Sequence, residues 1–399
     1  MPRTWSRSLV SDRAARVKWD QVAAFRLARH HLGGPSSSSP VAKVAADMMG
    51  AQAQVVQAAM MSLRARTRTP RAEMEGALWR KRTLVRGWAM RRTLFLLPSD
   101  DFPMFVRGTS RRPEYNYRYA LKRAASKVKL DRLLELTFEE LTEPTTRRGL
   151  ASALKSLGYR VYSRAGGGWG DSRAVPWVEV GSSSLPVGFL IHTMAAKYAL
   201  CSGPNEGNEA TYVRADRWLP HWKDVKRDEA ELELLLRYLR AFGPATVADY
   251  AIWVGMYIRD AKEVWSKASG RIAPVDVEGQ GAWALASDVP LLEGAKLTGP
   301  NVHLLPFFDS FILGHRSHRN IVDESNHTKV YRPQGWVSPV LLVDGRAAGV
   351  WSFKEDKGTL EVAVSPFSEL PRAALQGVRD EASGLAEFLG CSGSRVRVA

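Results

Sequence analysis

One stretch of this chain leaves the backbone few options. "EAELELLLRYLRAFG" (229–243) carries apolar side chains at i, i+3, i+4 and i+7 and stops at Gly243-Pro244, as an amphipathic helix must. "TVADYAIWVGM" follows, with Thr246 as a natural N-cap and Asp249 at the third helical position. "IRDAKEVWSKA" (258–268) predicts a third helix and "RIAPVDVEGQGAWALA" (271–286) a hairpin. Helix, short glycine-containing turn, helix and wing is the order of a winged helix-turn-helix. Such a module is small, so 399 residues must hold several cores.

The same order recurs upstream. Helices are expected at 19–32, 41–50, from Val55 to about Arg66 and from Arg71 to about Arg82. "LVRGWAMRRTLFLLP" (84–98) then reads as one or two strands with a tight turn. A second instance offers two helices within 138–158, a helix at 183–200 and a hairpin in "CSGPNEGNEATYVRA". From about Val302 the texture becomes short β-type runs divided by turns such as Asp344-Gly345, closed by a helix at 371–390. The expected fold is therefore α+β: winged-helix modules at 15–110, 125–222 and 228–298, then a mostly antiparallel, barrel-like domain at 301–399 with its terminal helix. "GGPSSSSP" (33–40) reads as a flexible loop, and its serines as a local insertion.

Charge narrows the partner. The chain carries a net +16, and +13 of that falls between Ser62 and Arg132. A concentrated excess of this kind points to a polyanion, most often nucleic acid. Two distant cysteines, Cys201 and Cys391, exclude a disulfide framework and a cysteine-based zinc site, as expected in a reducing cytoplasm. The sequence has no run of 18 apolar residues and no secretory h-region, so no membrane association is expected. A nucleoid-associated cytoplasmic protein fits these features.

"GAQAQ" (50–54) poses a local question. In a helix, residues two apart point to opposite faces, so Gln52 and Gln54 act together only where the backbone leaves helical geometry. Gly50 is the residue that permits such a break.

Five blocks in order now identify a family: "GAQAQ", "RTLVRGWAMRRTLFLLP" (82–98), "LRYLRAFGPATVADYAIWVG" (236–255), "HLLPFFDSFILGHR" (303–316) and "GWVSPVLLVDGRAAGVW" (335–351). Together they resemble the AlkZ/YcaQ-type winged-helix DNA glycosylases of bacteria, from about Val22 to Leu389. The resemblance implies three tandem winged helices plus a C-terminal β-barrel. It also implies a monofunctional glycosylase for bulky or cross-linking N7-alkylguanines, some members of the family serving antibiotic producers in self-resistance. It implies Gln52 and Gln54 as the catalytic pair of the AlkZ branch, duplex DNA with alkylated purines as partner, no cofactor and no metal, and action as a monomer. Many members read W-x-M-R-G-T-L-H after the basic helix; here Arg92 replaces the glycine and Phe95 the histidine.

The remaining candidates follow from residue type and position. Arg64, Arg82, Arg86, Arg91 and Arg92 are expected to meet DNA phosphates around the first wing. The basic, His-rich run at 315–332, with His315, Arg316, His318 and Arg319, is expected to supply a groove-entering hairpin or a plain surface loop. His315, His318 and His327 also admit a zinc reading, which lacks a supporting cysteine or carboxylate. Asp309, set among aromatics, reads as a brace more readily than as a general base, and "GGGWG" (166–170) as a turn. The rival function is a non-enzymatic winged-helix regulator or lesion-shielding protein.

Overall fold

The computed structural model describes residues 14–34, 38–123, 127–165, 174–181 and 183–399. The serine loop thus lies partly, and the glycine run at 166–170 wholly, outside the described residues. The architecture is mixed helix and strand, and the chain closes into two compact units. One joins Met1–Glu75 to Leu232–Ala399; the other is Gly76–Glu231.

Among the described residues the discontinuous unit holds a three-stranded and a five-stranded sheet. Ala15–Val17 pairs in parallel with Ile272–Val277, which pairs antiparallel with Gln280–Leu285. That hairpin follows helices Val247–Val254 and Ile258–Lys267. Thr246 and Asp249 form a reciprocal capping box: the Asp249 amide donates to Thr246 Oγ1 at 3.2 Å and the Thr246 amide donates to Asp249 Oδ2 at 2.9 Å. Helix Arg227–Phe242 fixes its aromatic face by packing, with the rings of Tyr238 and Phe242 each within 5.5 Å of Trp253. A five-stranded sheet runs in the order Val302–Leu305, Val340–Val343, Arg346–Asp356, Thr359–Pro366, Gly393–Val398, antiparallel except for the last pair. Helix Arg372–Leu389 covers one face through Ala374, Val378, Ala382 and Leu385, at the i+3 and i+4 steps of a single stripe.

In the other unit the strands Leu94–Pro98, Leu84–Trp88, Leu200–Glu206, Glu209–Arg214 and Thr145–Thr146 lie side by side in that order. Gly87 allows this packing, because a Cβ there would stand 2.3 Å from the Phe102 ring. Leucines 130, 133, 134, 150, 154 and 190 form the core beside it. Three helices that sequence periodicity leaves unread stand here: Phe102–Gly108, Arg111–Arg123 and Lys127–Glu139. In "RRPEYNYRYALKR" arginines and tyrosines blur the apolar stripe that would announce a helix.

Candidate active site

The tripeptide Gln-Ala-Gln stands where a helix is forced to end. Helix Val41–Asp47 closes with the Gly50 amide donating to the Ala45 carbonyl at 2.7 Å and the Met49 amide donating to that of Ala46 at 3.1 Å. Met49 and Gly50 both take left-handed backbone angles, φ 61° and 85°. The chain leaves this cap extended through Ala51–Gln52, and the next helix begins only at Val56. Ala51 and Ala53 are fully buried, Gln52 keeps 8% of its surface and Gln54 is exposed. The obstacle seen in the sequence, opposed faces at i and i+2 of a helix, does not arise: Gln52 is in extended backbone and Gln54 in a bend, so neither is held in helical geometry.

A buried polar cluster braces this turn. Ser310 Oγ donates to the Gly50 carbonyl at 2.7 Å. Next to it, Asp309 receives Arg66 Nη1 and Nη2 at 2.9 and 2.7 Å, Ser62 Oγ at 2.6 Å and the Phe311 amide at 2.9 Å. Ser62 lies in helix Val56–Arg64 and Arg66 just beyond it, so the "PFFDSF" segment grips the turn before the glutamines and the helix after them. Both charged side chains of the pair are wholly excluded from water. Burial alone would push the Asp309 carboxyl up; Arg66 and the hydrogen bonds outweigh it and hold it below the ordinary carboxylate range. Asp309 is therefore a brace and helix cap, ionised at neutral pH, and not a general base. His30, which the sequence did not single out, sits edge-on between Phe242 and Phe311 at 4.8 and 5.2 Å, and burial followed by repulsion from Arg66 keeps it neutral.

The other candidates divide by environment. Arg64 pairs with Glu381 at 3.2 Å in a largely buried setting, and Arg82 stacks 3.6 Å from the Trp218 ring centroid while donating to its carbonyl. Both arginines thus have intramolecular partners, a carboxylate for Arg64 and an aromatic ring for Arg82. Arg86 and Arg91 are partly enclosed; burial lowers both, Arg91 to about 10, which leaves each charged at neutral pH. Arg92 is exposed.

The His-rich run corrects an expectation. It forms no hairpin; turns and the short helices at Glu324–Asn326 and His327–Val330 replace it, and the single bridge there joins Tyr331 to Val337. Two anchors impose this. His315 is buried and donates its Nε2 proton to the Phe242 carbonyl at 2.9 Å, while the His318 ring stacks on Tyr331 at 3.9 Å. Burial, then Arg26, pushes His315 down to about 3; burial, then His327, pushes His318 down to about 4. Neither histidine carries charge at neutral pH. His318 Nδ1 and His327 Nε2 stand 3.4 Å apart, and no group of three metal-binding side chains occurs among the described residues. The run lines a cleft of about 1090 Å³ together with Thr246, Asp249 and the Gln280–Ala282 wing. Arg316 and Arg319 are among the residues lining this cleft, Arg319 in an exposed pair with Glu324 at 3.0 Å. No described helix is long and apolar enough to cross a membrane.

Comparison with known proteins gives one consistent picture. A curated protein of Streptomyces sahachiroi, an interstrand DNA cross-link repair glycosylase, is 30% identical over 395 residues, covering 96% of this chain and all of its own. The solved structure of the DNA glycosylase AlkZ from the same organism superposes with a TM-score of 0.76 at 25% identity, over 96% of this chain and all of that one. The family model for AlkZ-like DNA glycosylases matches residues 45–388, a span that holds the Gln-Ala-Gln turn, its buried brace and most of the cleft's lining. The chain belongs to the AlkZ-like family of DNA glycosylases.

Proposed function

We propose that this DNA glycosylase hydrolyses the N-glycosidic bond of bulky or cross-linking N7-alkylguanine adducts in duplex DNA and leaves an abasic site, with Gln52 and Gln54 as its catalytic pair. The observation that carries the reading is the left-handed cap at Met49 and Gly50, which takes the two glutamines out of helical geometry and holds Gln52 in a braced strand. The similarity to an interstrand DNA cross-link repair glycosylase supports the substrate class.

The chemistry fits neutral groups. Guanine alkylated at N7 is already cationic, so when the C1′–N9 bond breaks the electron pair neutralises the base, and no acid is needed. A water then adds to C1′ and gives up its proton to solvent. An amide oxygen accepts a hydrogen bond from that water while the amide N–H donates to phosphate or sugar. Fixing the water near C1′ supplies rate through position rather than basicity. An adduct that strains the duplex lowers the cost of exposing the base. Arg86, Arg91, Arg92, Arg316 and Arg319 provide phosphate contacts in this reading, His318 lines the same cleft as Arg316 and Arg319, and the protein acts as a monomer on nucleoid DNA. Unhooking of interstrand cross-links, and self-resistance toward a DNA-alkylating natural product, extend the same activity.

The test is direct. Duplex DNA bearing a single N7-alkylguanine is incubated with the protein, treated with alkali and resolved for strand breaks at the adduct. Breaks with the wild type, lost in Gln52→Ala while duplex binding persists, support the assignment; breaks that survive in a Gln52→Ala/Gln54→Ala double variant overturn it.

A further inference from the structure

The unit Gly76–Glu231 holds a second basic hollow, of about 290 Å³, apart from every residue discussed above except Arg92. Its walls come from the turn at Met90–Arg92 and from helices Phe102–Gly108, Arg111–Arg123 and Val187–Tyr198. Pro113, Phe189 and Ala196 make the apolar part, and Arg92, Arg107, Arg118, His192 and Lys197 the basic part.

Two of the charged groups at this hollow are spoken for. Glu114 is paired with Arg227, and Lys197 donates to Asp131 at 2.7 Å, which also receives the Tyr117 hydroxyl. Arg92, Arg107 and Arg118 have no carboxylate partner among the described residues. Three guanidiniums gathered around one hollow repel each other, an arrangement that an anion would relieve. The backbone adds a second observation. Arg91 and Arg92 follow one another in the left-handed region, φ 55° and 60°, where a side chain is strained. That strained turn is what delivers Arg92 to the hollow. A third is His192, whose ring rests edge-on against Trp88 at 5.3 Å; desolvation, then repulsion from Arg92 and Arg147, lowers its pKa.

We infer that Arg92, Arg107 and Arg118 form a phosphate-binding site that clamps a backbone phosphodiester of the DNA substrate. Planar guanidiniums bind phosphate oxygens in pairs, and three of them can surround one phosphodiester. The apolar wall formed by Pro113 and Phe189 suits the adjoining deoxyribose. The inference rests on the reading of duplex DNA as substrate; it does not require that Gln52 and Gln54 perform the chemistry.

The experiment uses the full chain and an undamaged duplex. Equilibrium affinity is measured between 50 and 200 mM salt for the wild type, Arg107→Gln/Arg118→Gln and Arg107→Lys/Arg118→Lys. Loss of one phosphate contact lowers the log–log slope by about 0.9, so the affinity ratio across that salt range shrinks roughly threefold in the Gln variant. The Lys variant, which keeps the charges, retains most of the slope. A wild-type slope in the Gln variant overturns the proposal. A second measurement needs no variant: His192 is titrated by NMR with and without the duplex. Phosphate seated among the guanidiniums raises its pKa, and an unchanged titration counts against the site. Inorganic phosphate and dAMP form the control arm. If they raise the His192 pKa at millimolar concentration while the DNA slope is insensitive to the Gln variant, the hollow is a small-anion site and the DNA assignment fails. Absence of adduct excision by the wild type would sink the proposed chemistry and leave these slopes to judge the hollow on their own.

Discussion

Replacing Asp309 with Asn tests the buried brace, since it preserves shape and removes one charge. Arg66 then remains in a site with no access to water, facing an amide in place of a carboxylate. Breaking a buried ion pair from one side costs about 3–5 kcal/mol, because the remaining charge keeps its desolvation penalty. For a unit of this size each kcal/mol shifts the midpoint of unfolding by roughly 2–4 °C, so the variant should melt about 6–20 °C lower. Calorimetry at pH 7 reads this directly. The pH dependence follows from the depressed carboxyl. Its contribution is complete above the ordinary carboxylate pKa near 3.9 and is lost as pH falls through the lower folded value. The gap between wild type and Asp309→Asn should therefore be constant from pH 8 to 5 and narrow below about pH 4. Arg66→Met/Asp309→Leu, which removes both charges, should recover most of the loss. Catalysis separates brace from base. At a temperature where the variant is folded, loss of a general base would cost roughly 10²–10⁴ in single-turnover rate and erase an acidic limb of the profile, whereas a brace predicts about tenfold or less with the profile retained. A destabilisation under about 1 kcal/mol, or a lost limb, would refute the reasoning.

Four further outcomes are expected. Gly50→Ala places a side chain at φ 85°, costs roughly 1–2 kcal/mol and slows adduct excision by displacing the glutamine turn, as thermal melts and single-turnover kinetics would register. The enzyme should excise 7-alkylguanine and leave uracil in place, because a neutral base lacks the positive charge that makes it leave; comparable rates on the two duplexes would contradict the amide mechanism. His30, His303, His315 and His318 all have folded pKa values below the ordinary 6.5, so the unfolded chain takes up protons first and stability should fall as pH drops from about 6.5 toward 4. A melting temperature flat from pH 7 to 5 would speak against that. Arg316→Ala should weaken duplex binding and reduce the salt slope by about 0.9, while Arg64→Ala, which breaks the pair with Glu381, should lower stability with no change in slope, both measured by fluorescence anisotropy.

The linear order of residues settled which segments become helix or strand wherever the signal is local. Thr246 and Asp249 form the cap their spacing promised, and the stripe of Arg372–Leu389 covers its sheet. Gly50 breaks the chain just ahead of the paired glutamines, so the candidate pair was visible before any fold was known. Ownership of charge was not visible. Arg64 and Arg66 look alike in "SLRARTRTP", yet one meets Glu381 and the other Asp309, partners more than 240 residues away in the chain. Likewise Arg82 stacks on Trp218, while Arg107 and Arg118, in two helices that periodicity left unread, face a shared hollow. Periodicity and capping act over one or two turns and can be read along the chain. Which carboxylate or ring reaches a given guanidinium depends on contacts between distant segments, and those exist only after the cores have closed.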